Sequence, residues 1–197
     1  MRLVFSIAAL VLLASPRGAQ AQPHSSPLVA AVERLCVSNH AVAARVLADA
    51  DAAGWAPLPG GRLADMLGVT PNPNYRLKTE GADHLMLRLQ DTDFEQSSGV
   101  LTVHKCMVFD EVLDRGATLA DLISELRRTL KAAPAVSQPQ VAMWFYVDDP
   151  RGRRFLSASK ADQTRVLEGG ATMVSIGVAQ QSPQSQIEYA ETTFARK

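Results

Sequence analysis

The stretch that decides the fold is residues 84–109, HLMLRLQDTDFEQSSGVLTVHKCMVF. Leu85, Leu87 and Leu89 fall on one face of an extended chain and alternate with Met86, Arg88 and Gln90 on the other. The stretch VLTVHKCMVF also alternates like a β-strand. A period of two is typical of a β-strand that buries one face. The polar segment DTDFEQSSG (91–99) predicts a connection, so the stretch indicates an antiparallel hairpin.

The returning strand places His104 and Cys106 two residues apart and therefore on one face. A hairpin centred on residues 94–95 would bring His84 close to His104. His84, His104 and Cys106 would then be candidate ligands for a metal ion. The spacing lacks the paired Cys-x-x-Cys or His-x-x-x-His form that is typical of zinc sites. The alternative is that Cys106 is one half of a disulfide.

The N-terminus has the features of a secretory signal peptide over residues 1–21. Arg2 precedes the apolar run LVFSIAALVLLA, and AQA at 19–21 offers small residues before a cleavage site after Ala21. The apolar run is shorter than the roughly 20 residues that span a bilayer, and PRG at 16–18 ends it. We therefore expect a periplasmic or secreted protein without stable membrane insertion after cleavage.

The chain contains two cysteines, and exported proteins fold in oxidising compartments. Cys36 lies on the apolar face of a predicted helix, and Cys106 lies in the returning strand of the hairpin. We expect a Cys36–Cys106 disulfide that joins the helix to the sheet. For a loop of this length the chain-entropy estimate of its stabilisation is roughly 4 kcal/mol.

The mature chain reads as a short flexible leader, 22–27, followed by a single α+β domain, 28–197. Two N-terminal helices are expected first, and an antiparallel sheet of five or six strands follows. One amphipathic helix, TLADLISELRRTLK (118–131), is expected after the second strand. Thr118 and Asp121 have the spacing of a capping box at its start.

The N-terminal segment, a helix with one Cys followed by a helix that ends in AAGW (52–55), resembles a family of small, uncharacterised exported proteins of proteobacteria. The likeness covers about 30 residues. It implies export and assigns no activity.

Charge and composition limit the classes of partner. Basic and acidic residues balance at 20 each, and loss of Arg2 and Arg17 with the signal peptide leaves 18 basic residues. Such a balance does not favour nucleic acid. No glycine-rich phosphate loop or dinucleotide fingerprint is present, and no cofactor is expected. The expected partner is an unknown protein or a small ligand.

Two short patterns imitate functional motifs. SASK (157–160) has the Ser-x-x-Lys form of penicillin-recognising enzymes, but the Ser-Asp-Asn and Lys-Thr-Gly partners are missing. Asp91, Asp93 and Glu95 alternate like calcium ligands, but such a site needs six to eight oxygen atoms. No catalytic residue is therefore assigned.

The sequence favours an exported, non-catalytic module that binds a protein or a small ligand. One alternative is a small hydrolase in which distant residues, such as Ser157 with His104 or His84, assemble a site. The other is a metal-handling protein. A binding module should differ from both by carrying an apolar groove or patch.

Overall fold

A computed structural model of the protein describes residues 26–58, 74–80, 83–110, 118–181 and 184–197. The signal peptide expected over 1–21, its cleavage site and the first four residues of the leader lie outside these ranges.

The described residues are built around one antiparallel sheet of nine strands. The strand order is β1-β2-β3-β4-β9-β8-β6-β5, and β7 pairs with β6 beside β5. The strands are β1 (Ala56–Pro57), β2 (Tyr75–Glu80), β3 (Asp83–Gln96), β4 (Gly99–Asp110), β5 (Val136–Gln138), β6 (Val141–Asp149), β7 (Gly152–Leu156), β8 (Met173–Gln181) and β9 (Gln184–Arg196).

The predicted architecture, two N-terminal helices with a sheet of five or six strands, is wrong. The described part of the chain is mostly antiparallel sheet, with nine strands and a single N-terminal helical region. Strands β1 and β5 have two and three residues, which is too short to show a period in the sequence. Strand β2 follows the turn-rich TPNPN, and that segment obscured its alternation.

The hairpin of β3 and β4 is longer than predicted. Gln96 pairs with Gly99, so Ser97 and Ser98 alone form the turn, and the segment expected as a connection is mostly strand. Most of its residues are polar, as expected for an end of the hairpin that is exposed to solvent. Strand β9 pairs with β4 and with β8, which places the C-terminal strand in the interior of the sheet.

The N-terminal helical region spans residues 27–52 and is not a pair of regular helices. Helix α1 (Pro27–Ala31) continues into a π-helical turn (Val32–Val37), and helix α2 (Ala43–Ala52) follows after a bend. The hydrogen bond from Ala41 N to Cys36 O joins residues five apart, as in a π-helix, and continues this pattern from the π-helical turn into the bend.

The bend between the π-turn and α2 contains two non-glycine residues with left-handed backbone angles. His40 has φ of 54° and Ala41 has φ of 51°. Such angles are unfavourable for residues with a Cβ and persist where the surroundings enforce them. Ala41 is fully buried, and the side chain of Asn39 donates to Leu35 O and to Asp49.

Helix α3 (Leu119–Leu130) follows β4, which is the second strand of the hairpin predicted from the sequence. Its capping box is present as the sequence indicates: Asp121 N donates to Thr118 Oγ1, and Thr118 N donates to the Asp121 carboxylate. These hydrogen bonds from Thr118 hold the pKa of Asp121 below its usual value. The helix buries one stripe of leucines: Leu119, Leu122, Leu126 and Leu130.

Helices α1 to α3 cover one face of the sheet, which we call the helical face. The main core lies between these helices and the sheet, and it includes Leu87, Val108, Trp144 and Ile187 from the strands. Trp144 Nε1 donates to Ala132 O just beyond α3, so its polar atom is satisfied at 3.0 Å.

The opposite face of the sheet, the second face, carries helix α4 (Lys160–Glu168) at one end. No helix was predicted here from the sequence, because the pattern of residues 160–168 is only weakly amphipathic. Leu167 is its one buried residue, and it packs with Val147, Leu156 and Met173. Four buried side chains make this cluster much smaller than the main core, and α4 leaves open space on both of its sides.

Candidate ligand-binding groove

A groove lies on the second face between α4 and the end of the β3–β4 hairpin. Its volume is about 260 Å³. The floor consists of Leu101 and Val103 from β4 with Thr192 and Phe194 from β9, and Met173 closes one side. Residues of α4 form one wall, namely Lys160, Gln163, Thr164, Leu167 and Glu168.

The floor follows from the alternation and register of two central strands. Leu101 pairs with Phe194, and Val103 pairs with Thr192. Paired residues point to the same face of an antiparallel sheet. Val103 and Thr192 are 8% and 6% exposed, so the side chains at the bottom of the groove are largely shielded from solvent.

Phe94 extends the apolar surface beyond the groove. It pairs with Leu101 on the second face, and the residue is 49% exposed. Among the described residues, Phe94 and Val42 are the two large apolar residues classed as exposed. Phe94, Leu101 and Phe194 therefore form one apolar row that runs from solvent into the groove.

Gly99 allows Phe194 to occupy its place in the floor. A Cβ atom at Gly99 would lie 2.7 Å from the Phe194 ring and would also meet the Ala195 carbonyl oxygen. Real Cβ atoms do not approach so closely, so a larger residue at 99 would displace the ring.

Charged residues mark both ends of the groove wall. Lys160 is at the first residue of α4, and Glu168 is at its last residue, where Arg196 donates to the Glu168 carbonyl oxygen at 2.8 Å. The helix dipole adds positive potential at its N-terminus and negative potential at its C-terminus. Lys160 is exposed and pairs with no side chain among the described residues, so an acidic group would be favoured at its end of the groove.

The two cysteines form a disulfide. Cys36 and Cys106 are bonded through their sulfur atoms, with Cα atoms 5.5 Å apart. Both residues are fully buried where the helical region packs on the sheet. Cys106 is therefore not available as a metal ligand in this structure.

The histidines considered as ligands are not brought together. The register places Asp91, not His84, opposite His104, and His104 Nδ1 lies 2.9 Å from Asp91 Oδ1. His84 pairs with Thr79 and hydrogen-bonds to its hydroxyl at 3.1 Å. Across the described ranges, no cluster of three or more His, Cys, Asp or Glu residues is suited to a metal ion.

Ser157, the first serine of SASK, is engaged in hydrogen bonds at the start of α4. Ser157 Oγ donates to Asp162 Oδ2 at 2.6 Å and accepts from Ser159 N. None of the hydrogen bonds within the described residues joins Ser157 to His104 or His84.

The alternating carboxylates of β3 each have a different partner. Asp91 contacts His104, Asp93 accepts from Thr102 Oγ1, and Glu95 pairs with Lys197. They are distributed along the strand and do not converge as a calcium site requires.

A polar cluster on the helical face was not foreseen from the sequence. Glu191 Oε1 accepts from the Tyr189 hydroxyl and lies 2.8 Å from His40 Nδ1. Burial, then the hydrogen bond to Glu191, raises the pKa of Tyr189. His40 and Glu191 are 151 residues apart, so no local pattern could reveal the contact.

A second tyrosine lies on the same face of the sheet. Burial raises the pKa of Tyr146 to about 12, although the neighbouring Arg153 guanidinium acts in the opposite direction. Arg153 lies over the Tyr146 ring at 4.0 Å and pairs with Asp148 at 3.0 Å. Both phenols are thus kept in the neutral form, in which they are hydrogen-bond donors rather than nucleophiles.

Within the ranges that the structure describes, no helix combines the length and the apolar character that crossing a membrane requires. Comparison of the chain with protein-family models, with characterised proteins and with solved structures finds no match. The groove and its surroundings are therefore interpreted from their own chemistry.

Proposed function

We propose that the protein is an exported, non-catalytic binding module whose groove holds a small amphiphile with an apolar body and one acidic head group. The observation that carries the proposal is the groove between α4 and the β3–β4 hairpin, with its apolar floor and the exposed Phe94 at its side. Small-molecule sites are concave and mostly apolar, with a few polar groups that fix orientation.

The size of the groove limits the ligand. Helix α4 has nine residues, and a helix rises about 1.5 Å per residue, so the wall is roughly 13 Å long. A volume of about 260 Å³ accommodates a short aliphatic chain or a small ring system. The acidic head group would lie near Lys160, away from Glu168.

Export is part of the proposal and has two supports. The apolar run with small residues before Ala21 is typical of a signal peptide. The Cys36–Cys106 disulfide is compatible with an oxidising compartment.

The hydrolase alternative is less favoured, because Ser157 donates to Asp162 and contacts neither histidine within the described residues. The metal-handling alternative is less favoured because Cys106 is in the disulfide and His84 and His104 have separate partners. Neither alternative has a specific observation in its favour.

The proposal is tested by titrating the folded protein with decanoate and following backbone amide shifts by NMR. Decanoate should shift amides of β4, β9 and α4 around the groove, and decylamine of equal chain length should bind more weakly. Lys160→Gln should weaken the binding of decanoate about tenfold, which is the effect expected for loss of one charge-assisted hydrogen bond. It should leave the affinity for decanol unchanged.

A substitution that fills the groove, compared with a matched control, tests whether the groove is the binding site. Gln163→Trp places a large ring in the groove and should abolish decanoate binding, whereas Ala161→Trp, on an exposed position outside it, should not. Equal affinity in the two variants would exclude the groove as the binding site.

A further inference from the structure

A second and larger cleft lies on the other side of α4. Its volume is about 540 Å³, and it is bounded by β7 and by the outer side of the helix. Leu156, Val166 and Ala171 supply apolar lining, and Leu156 is 8% exposed. The cleft is separate from the groove, because the two share no lining residue and α4 lies between them.

The charged residues of this cleft are two arginines and one aspartate. Arg154 is exposed and pairs with no side chain among the described residues. The side chain of Arg165 is 80% exposed and lies 3.7 Å from Asp162, at the long end of an ion pair. The Asp162 carboxylate also accepts from Ser157 Oγ at 2.6 Å, so part of its capacity is already used.

Arg154 and the preceding residue, Arg153, differ in their side-chain interactions. Arg153 on the other face of β7 is held by Asp148 and stacks over Tyr146. Arg154 is exposed in the same hairpin but lies opposite Val147, and no carboxylate of the described residues forms an ion pair with it. With Arg165 beside the same cleft, the lining has an excess of one positive charge over an apolar floor.

We propose that this arginine cleft, lined by Arg154, Arg165 and Leu156, binds a small ligand that carries an oxyanion on an apolar body. A guanidinium presents a planar set of donors that matches the oxygens of a phosphate or a carboxylate. The apolar part of the ligand would pack on Leu156, Val166 and Ala171. The site is independent of the groove and of the function proposed for it.

The test uses phenyl phosphate as the probe, with inorganic phosphate and phenol as separated halves. Amide shifts of the folded protein should move at Leu156, Gly169 and Ala171, and phenyl phosphate should bind more tightly than either half. Arg154→Gln and Arg165→Gln should each weaken the affinity about tenfold, the loss expected for one charge-assisted interaction.

Two further variants separate binding from a structural effect. Arg151→Gln removes an exposed arginine of the same hairpin that does not line the cleft, and it should leave the affinity unchanged. Asp162→Asn removes the carboxylate that competes for Arg165 and should tighten binding by about threefold, within the range of an exposed ion pair. Thermal midpoints check that each variant is folded.

The proposal is overturned if phenyl phosphate moves no amide of the cleft. It is equally overturned if Arg154→Gln and Arg165→Gln lose no more affinity than Arg151→Gln. Binding of decanoate in the groove is a separate readout, and its presence or absence does not alter either result.

Discussion

Cys36 in the π-helical turn is bonded to Cys106 in β4, and neither residue has any exposed surface. The bond joins the N-terminal helical region to a strand in the interior of the sheet, across a sequence separation of 70 residues. It therefore connects the two layers of the main core directly.

Removal of this disulfide should destabilise the protein by about 2–5 kcal/mol. Cys36→Ala and Cys106→Ala should have similar effects, because each removes the same bond. The double variant should be no worse than either single one, since the two residues act as a unit. Denaturant unfolding of the three variants measures this, and two free thiols in the denatured, unreduced protein would contradict it.

The leucine stripe of α3 should supply a large part of the main core. Leu122 is fully buried, so Leu122→Ala should lower the free energy of unfolding by roughly 2–5 kcal/mol. Ser124→Ala on the exposed side of the same helix is the control and should change it little. A loss below about 0.5 kcal/mol for Leu122→Ala, as for an exposed position, would mean that the stripe does not pack in the core.

Local patterns explain what could be predicted from the sequence. The capping box of Thr118 and Asp121 lies within four residues, and the leucine stripe of α3 repeats with the helical period. The hairpin was visible because leucines alternate in β3, but its exposed polar end was predicted as a connection and is mostly strand. The pairing of Cys36 with Cys106 could be expected since the chain has two cysteines.

The candidate site depends on relationships that no local pattern contains. The groove floor requires Leu101 to lie opposite Phe194, and a one-residue slip would move one of them to the other face. Its wall is α4, whose single buried residue, Leu167, gives almost no helical signal. Strand β9, at the C-terminus, lies between β4 and β8 in the sheet. The neighbours of β4 and β8 therefore cannot be assigned from the segments that are close to them in sequence.

Gly99 should be required both for stability and for the groove. Gly99→Ala forces the Phe194 ring and the neighbouring backbone to move, which should cost about 1–3 kcal/mol as overpacking does. It should also weaken decanoate binding, because Phe194 forms part of the floor.

Gly177→Ala in β8 is the control for that substitution. A Cβ at Gly177 would lie 3.8 Å from Met143, an ordinary contact, so this variant should fold with nearly unchanged stability. If the two variants unfold at the same denaturant concentration, the close approach at Gly99 is not significant.

The signal peptide proposed for residues 1–21 should be removed, so that the mature chain begins at Gln22. The expectation rests on the apolar run and on AQA at 19–21. N-terminal sequencing or intact mass of protein recovered from the periplasm or medium measures the cleavage site. Recovery there of a chain that still carries Met1 would contradict it.

Tyr146 and Tyr189, two of the three buried tyrosines, should make the protein sensitive to high pH. Burial raises the pKa of Tyr146 to about 12 and also raises that of Tyr189, whose hydroxyl donates to Glu191. An unfolded tyrosine has a pKa of about 10, so the folded state holds these protons more tightly. Their contribution to stability is complete below about pH 10 and is lost as the pH rises toward the folded values.

Near-ultraviolet absorbance of the phenolate tests this directly, together with denaturant unfolding at several alkaline pH values. In the folded protein Tyr146 and Tyr189 should remain neutral above pH 10, and the free energy of unfolding should fall as the pH rises from about 10 toward 12. Tyr146→Phe should reduce that pH dependence, because phenylalanine has no proton to lose. Ionisation of all three tyrosines of the chain together near pH 10, while the protein is still folded, would contradict the raised pKa values of Tyr146 and Tyr189.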